Sequence, residues 1–205
     1  MNFNKCTLSA VLAWILVVAF PPPVDSQTKD ISRRFALGCA VGNWQPHSLN
    51  DEPKFLGFGA AGATPYFGLD FTLPVGGDLG FRLSFGYWSL RDLQKVENVH
   101  SLTLHPVYLD LKYWLVPDNH LSAYVLYGGG VVFGAENETS PFGNKIHLAG
   151  AGWGVNLGAG FDLALSRRLG LSMLFQYHFV RFKQPLGGVD DFSGPKVTGE
   201  IFYFL

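Results

Sequence analysis

Charge is scarce in this 205-residue chain: 15% of its residues are Asp, Glu, Lys or Arg, against about 25% in an ordinary soluble domain. That is too little to coat a water-soluble sphere. Neither sign dominates, with 15 Lys and Arg against 16 Asp and Glu, so there is no basic surplus for a phosphate backbone and nucleic acid is excluded as a partner. Cysteine is almost missing. Cys6 and Cys39 are the two; the first lies in a segment read below as removed, and a single remaining thiol makes neither an internal disulfide nor a thiolate metal cluster. Cys39 reads as a small wall residue on a strand. No apolar run reaches the ~20 residues that span a bilayer as a helix, because the run over residues 8–20 stops at Pro21-Pro22-Pro23. With Lys5 before it and the small subsites Val24 and Ser26 after it, that run is a secretory signal peptide over residues 1–26, leaving one domain over residues 27–205.

What the chain does have is 48% hydrophobic residues with 18 Phe, 8 Tyr and 5 Trp, broken by 25 Gly and 12 Pro. This is strand material with punctuation, which excludes disorder and disfavours a helix bundle. From Arg33 onward the apolar residues alternate with period two, placing successive side chains on opposite faces of a strand. Eight segments read this way. In the clearest, Leu79, Phe81, Leu83, Phe85 and Tyr87 oppose Gly80, Arg82, Ser84, Gly86 and Trp88. Phe35 to Val41 form the first; Phe67, Leu69, Phe71 and Leu73 oppose Tyr66, Gly68, Asp70 and Thr72; Val107, Leu109, Leu111 and Tyr113 oppose Tyr108, Asp110, Lys112 and Trp114. A glycine-rich segment covers residues 121–133. Trp153, Val155, Leu157 and Phe161 then oppose Gly154, Asn156, Gly158, Gly160 and Asp162, Leu171 to Tyr177 oppose Ser172, Gln176 and His178, and Val197, Ile201, Tyr203 and Leu205 oppose Lys196, Thr198, Glu200 and Phe202.

The chemistry of the two faces decides which one points inward. A soluble barrel hides its bulky residues and coats its outside with charge, but here the second face is too small and glycine-rich to be a solvent coat. If the bulky face meets lipid and the small polar face lines the interior, the low charge and high aromatic content are both explained. Only a closed sheet leaves no unpaired edge amide in hydrocarbon. The expected fold is therefore all-β: an eight-stranded antiparallel up-and-down transmembrane β-barrel. Asp70, Arg82, Asp110, Lys112, Asn156, Asp162 and Glu200 should form a polar network in the lumen, because an isolated buried ion costs several kcal/mol.

Connection lengths alternate as well. Those at 74–78, 117–120 and 166–168 are short, whereas those at 43–61, 91–99, 134–147 and 183–195 are long and charged, as in a bacterial outer-membrane barrel with its long loops outside. Trp44, Tyr66, Trp88 and Trp153 fall at the long-loop ends of their segments and Tyr113, Trp114 and Tyr203 near the short-turn ends, so two interfacial aromatic girdles are expected.

Pro106-Val-Tyr-Leu-Asp-Leu-Lys-Tyr113, then Ala123-Tyr-Val-Leu-Tyr-Gly-Gly-Gly130 and Trp153-Gly-Val-Asn-Leu-Gly-Ala-Gly-Phe-Asp162 resemble the small eight-stranded barrels of the OmpA/OmpX/OmpW-like outer-membrane superfamily. The resemblance covers essentially the whole mature chain. It implies residence in a bacterial outer membrane among lipid and lipopolysaccharide, and a final strand read by the outer-membrane assembly machinery. Ile201, Tyr203 and Leu205 supply that signal, with Leu205 where the superfamily usually ends in Phe.

An eight-stranded barrel is about wide enough for side chains to fill, so general porin activity is not expected. Two readings of the lumen remain: a structural salt-bridge plug, and a polar path for a small solute as in OmpW-like barrels. Lipid A deacylases resemble the architecture and use a His and a Ser two positions apart; here His178 is followed by Val180, so no enzyme is expected. His100 and His105 fall on opposite faces, and His47, His120 and His147 sit in loops or turns, so no metal or cofactor is expected either. Asn137-Glu-Thr139 is a glycosylation sequon without meaning in a bacterium, and Asp190 and Asp191 read as a hydrated loop tip. A third class, a secreted lipocalin-like barrel, rests on Gly42-Asn43-Trp44, but lipocalins carry a helix after their strands and this chain ends within one. The expected role is structural or surface-interacting: a monomer meeting an extracellular ligand through its long loops.

Overall fold

A computed structural model of the chain describes residues 34–50, 64–91, 99–116, 120–139 and 145–205. The expected signal peptide and the middles of three long connections lie outside them. Among the described residues nine strands run β1 (Ala36–Trp44), β2 (Pro65–Gly76), β3 (Leu79–Arg91), β4 (Val99–Val116), β5 (Leu121–Thr139), β6 (Lys145–Ala164), β7 (Leu169–Leu186), β8 (Val189–Asp191) and β9 (Gly194–Phe204). Each strand from β1 to β7 pairs antiparallel with the next. β9 pairs with both β7 and β1, closing an eight-stranded ring, while β8 pairs only with the end of β7.

The ring closes with an offset. Register partners lead from Ala36 through Thr72, Arg82, Asp110, Gly128, Asn156 and His178 to Gly194, and from there back to β1 two positions beyond Trp44, the partner of Lys196: position 46, ten residues from the start. Eight strands with that stagger tilt about 40° from the barrel axis and enclose a backbone ring roughly 16 Å across. Side chains from opposite walls fill such a ring.

The pleat sets the facing. Phe81, Leu109, Leu157 and Phe175 are exposed on the outer wall, while Arg82, Asp110, Asn156 and Gln176 beside them are buried. A lipocalin-like barrel needs the reverse. Along β6 and the residue after it the alternating outward apolar side chains extend from Leu165 to Trp153, which at this tilt is a rise of about 30 Å, the thickness of a hydrocarbon core.

Two of the connections read as loops are largely strand. β5 continues to Thr139 and β6 begins at Lys145, so most of 134–147 is a two-stranded extension. β7 continues to Leu186 and turns straight into β8. In both places the alternation of bulky and small residues fades because the strands run past the outward apolar row of the ring, whereas backbone pairing needs no such pattern.

Candidate functional site

The lumen is the candidate site, and it is filled in layers. At its centre the Arg82 guanidinium lies 2.8 Å from Asp70 and 3.0 Å from Glu200, tying β3 to β2 and, across the ring closure, to β9. Asn156 Nδ2 donates to Asp110 Oδ1 at 2.8 Å. Towards the short turns, Lys112 Nζ meets Asp162 Oδ2 at 2.7 Å and Trp114 Nε1 donates to the same oxygen at 2.9 Å. The Lys112 ammonium also sits 3.9 Å from the centre of the Tyr124 ring, whose hydroxyl is 2.9 Å from Ser172 Oγ. Below this layer a shallow recess, with room for about one water molecule, opens towards the short-turn mouth, bordered by Arg34, Lys112, Asp162, Glu200 and Phe204.

The structure thus turns Asp70, Arg82, Asp110, Lys112, Asn156, Asp162 and Glu200 all inward, in separate clusters rather than one network. The expectation omits Lys196, Tyr108, Tyr124 and Ser172, which are buried among them. Their inward parity in the alternation is the signal that includes them. Lys196 lies 4.2 Å over the Tyr66 ring, a cation held against a π face rather than by a carboxylate.

The half of the lumen nearer the long connections is stoppered by apolar side chains, chiefly Trp44, Trp88, Leu102, Leu104, Val180 and Phe182. Trp88 Nε1 donates to the Trp44 carbonyl at 3.0 Å, and the two rings stack tilted with centroids 5.8 Å apart. Over this stopper folds the β7–β8 hairpin. Its turn needs two residues with positive φ, supplied by Gly187 (64°) and Gly188 (87°). Gly187 N–H donates to the Glu136 carboxylate at 2.7 Å, and Leu186 enters the space over Gly134 that a side chain there would occupy. From the other side, Leu49 of the short 3-10 turn His47–Asn50 joins Val189 and Phe192 in the same cluster.

This corrects the expected girdles. Trp44, Tyr66, Trp88 and Trp114 are buried inside the barrel, not exposed at an interface. Each shares the inward parity of Asp70, Asp110 or Lys112 on its own or a paired strand, and proximity to a strand end does not change which face a side chain takes. Tyr113, Trp153 and Tyr203 do face outward, Trp153 near the long-connection end and the other two near the short turns. Ile201 and Tyr203 on β9 also face outward, and Leu205 just after the strand is exposed.

His178 packs between the rings of Trp44 (5.4 Å) and Tyr108 (5.0 Å), and neither of its ring nitrogens has a hydrogen-bond partner among the described residues. Among the described residues no hydroxyl hydrogen-bonds to it. Among the described residues no three His, Cys, Asp or Glu side chains converge as metal ligands.

No protein-family model matches the chain, and no curated protein does. Solved structures do. Ail, the attachment invasion locus protein of Yersinia pestis, superposes with a TM-score of 0.55 at 16% identity, covering 84% of this chain and 97% of Ail. The outer membrane protein OprG from Pseudomonas aeruginosa gives 0.56 at 16%, covering 83% and 95%. A major outer membrane protein from Thermus thermophilus gives 0.57 at 13%, covering 84% and 98%. At such identities the likeness is one of fold: the chain has the fold of the small bacterial outer-membrane β-barrels.

Proposed function

We propose that the chain is a non-conducting, monomeric outer-membrane barrel with no catalytic activity, acting as a structural and surface-interaction protein through its long connections. The observation that carries this reading is the double closure of the lumen, by the apolar stopper under the β7–β8 hairpin and by the ion-paired layers below it. The wall is committed to lipid and the interior to packing, so the long connections are the surface left for an extracellular ligand. A path for small solutes along the axis has no support from the lumen, whose Arg82 and Lys112 are ion-paired across it and whose outer half is apolar. The partners that fit are outer-membrane lipid and lipopolysaccharide around the wall, and the assembly machinery at the outward Ile201, Tyr203 and Leu205 of β9. The test is single-channel recording of the purified protein in planar bilayers beside a heat-modifiability gel. A compact unheated band with no conductance is the expected result; steady open-channel current from the compact form overturns it.

A further inference from the structure

Among the described side chains the outer wall is nearly free of charge, and the exception is local. Among the described side chains that face outward on the eight ring strands, the charged ones are Arg181 and Lys183, successive outward positions on β7 directly beyond Phe179. Two residues apart on one face, they project side by side about 7 Å apart. Arg181 is the register partner of Trp153, the last large member of the alternating outward apolar row of β6, so the pair begins where that row ends. On the other flank the register partner of Arg181 is Asp191, but its Oδ1 accepts the Ser193 N–H at 2.8 Å. No carboxylate of a described residue makes an ion pair with Arg181 or Lys183.

We infer that Arg181 and Lys183, with the exposed Trp153 beside them, form a binding site for the phosphate of a membrane amphiphile in the leaflet at the long-connection end. The inference rests on the reading that the wall meets lipid. Charge complementarity selects the occupant: two cations that no described carboxylate ion-pairs attract an anion at head-group depth, and the guanidinium fork can donate two parallel N–H bonds to a pair of phosphate oxygens. Trp153, half exposed and amphipathic, gives the first methylenes and sugar or glycerol of the same molecule a flat surface. The apolar wall below, Phe179, Tyr177 and Phe175, receives its acyl chains.

The test uses the full barrel in detergent micelles, incubated with lipid A or with lipid A stripped of its phosphates, and read by native mass spectrometry. The intact lipid should be retained more strongly than the stripped one. Retention should fall roughly fivefold in Arg181→Gln or Lys183→Gln and on the order of twentyfold in the double variant. Equal retention of both lipids, or unchanged retention in the double variant, overturns the site. Displacement of lipid A by millimolar inorganic phosphate would show a soluble-anion site instead and also overturns it. Each variant is first checked for the compact unheated band; loss of that band in the unsubstituted protein would sink the barrel reading itself, a separate failure.

Discussion

The carboxylate of Glu200 lies across the backbone of Gly38, occupying the place a side chain there would take. Gly38 on β1 stands between Glu200 on β9 and Asp70 on β2, its register partner. Glu200 therefore reaches Arg82 only because the intervening strand is bare at that point. A position that looks like weak strand material is the passage through which the ring-closing strand is tied to the rest of the lumen.

The first prediction follows directly. In Gly38→Ala the new methyl group displaces the Glu200 carboxylate and stretches its contact with Arg82. The cost should be about 1–3 kcal/mol, the usual range for overpacking. It is read as a lower temperature at which the compact band converts to the unfolded one.

Removing the cation is more severe. Arg82→Met leaves Asp70 and Glu200 buried with no counter-charge, a loss of about 3–5 kcal/mol. Neutralising the carboxylates in the triple variant Arg82→Met, Asp70→Asn, Glu200→Gln should recover most of that stability. If the triple variant is as unstable as the single one, uncompensated charge is not the cause.

Lipid contact on the outer wall predicts a dependence on depth. Leu157, among the most exposed apolar side chains at 61%, sits mid-belt; Leu157→Arg should cost about 2–4 kcal/mol and Ala149→Arg, beyond the belt on the same strand, roughly 0–1 kcal/mol. Urea titration of refolding into lipid vesicles measures both. Equal costs would mean that the belt is not in hydrocarbon.

The stopper and the ion-paired layers act in series. Trp88→Ala with Phe182→Ala hollows the outer half, where each large-to-small change costs about 3–5 kcal/mol, yet the barrel should stay electrically silent because the Arg82 layer still spans the lumen. Conductance should arise only when Arg82→Met is added. Current through the Trp88→Ala, Phe182→Ala variant alone would place the whole seal in the aromatic stopper.

Much of the barrel is written in the alternation. Phe81 against Arg82, Leu109 against Asp110 and Phe175 against Gln176 settle which face turns outward, because the pleat leaves no intermediate orientation and a one-residue slip would reverse every side chain. Facing is a local property, so the inward set of Asp70, Arg82, Asp110, Lys112, Asn156, Asp162 and Glu200 is legible from the chain alone. Which of these meet is not. Arg82 finds Glu200, 118 positions away, through a stagger of ten residues that belongs to the closed ring and to no single strand. The same holds for Trp44 and Trp88, whose place in a stopper depends on the β7–β8 hairpin folding back over the mouth. Pairing across the lumen is set by the shear and curvature of the sheet, which only closure creates.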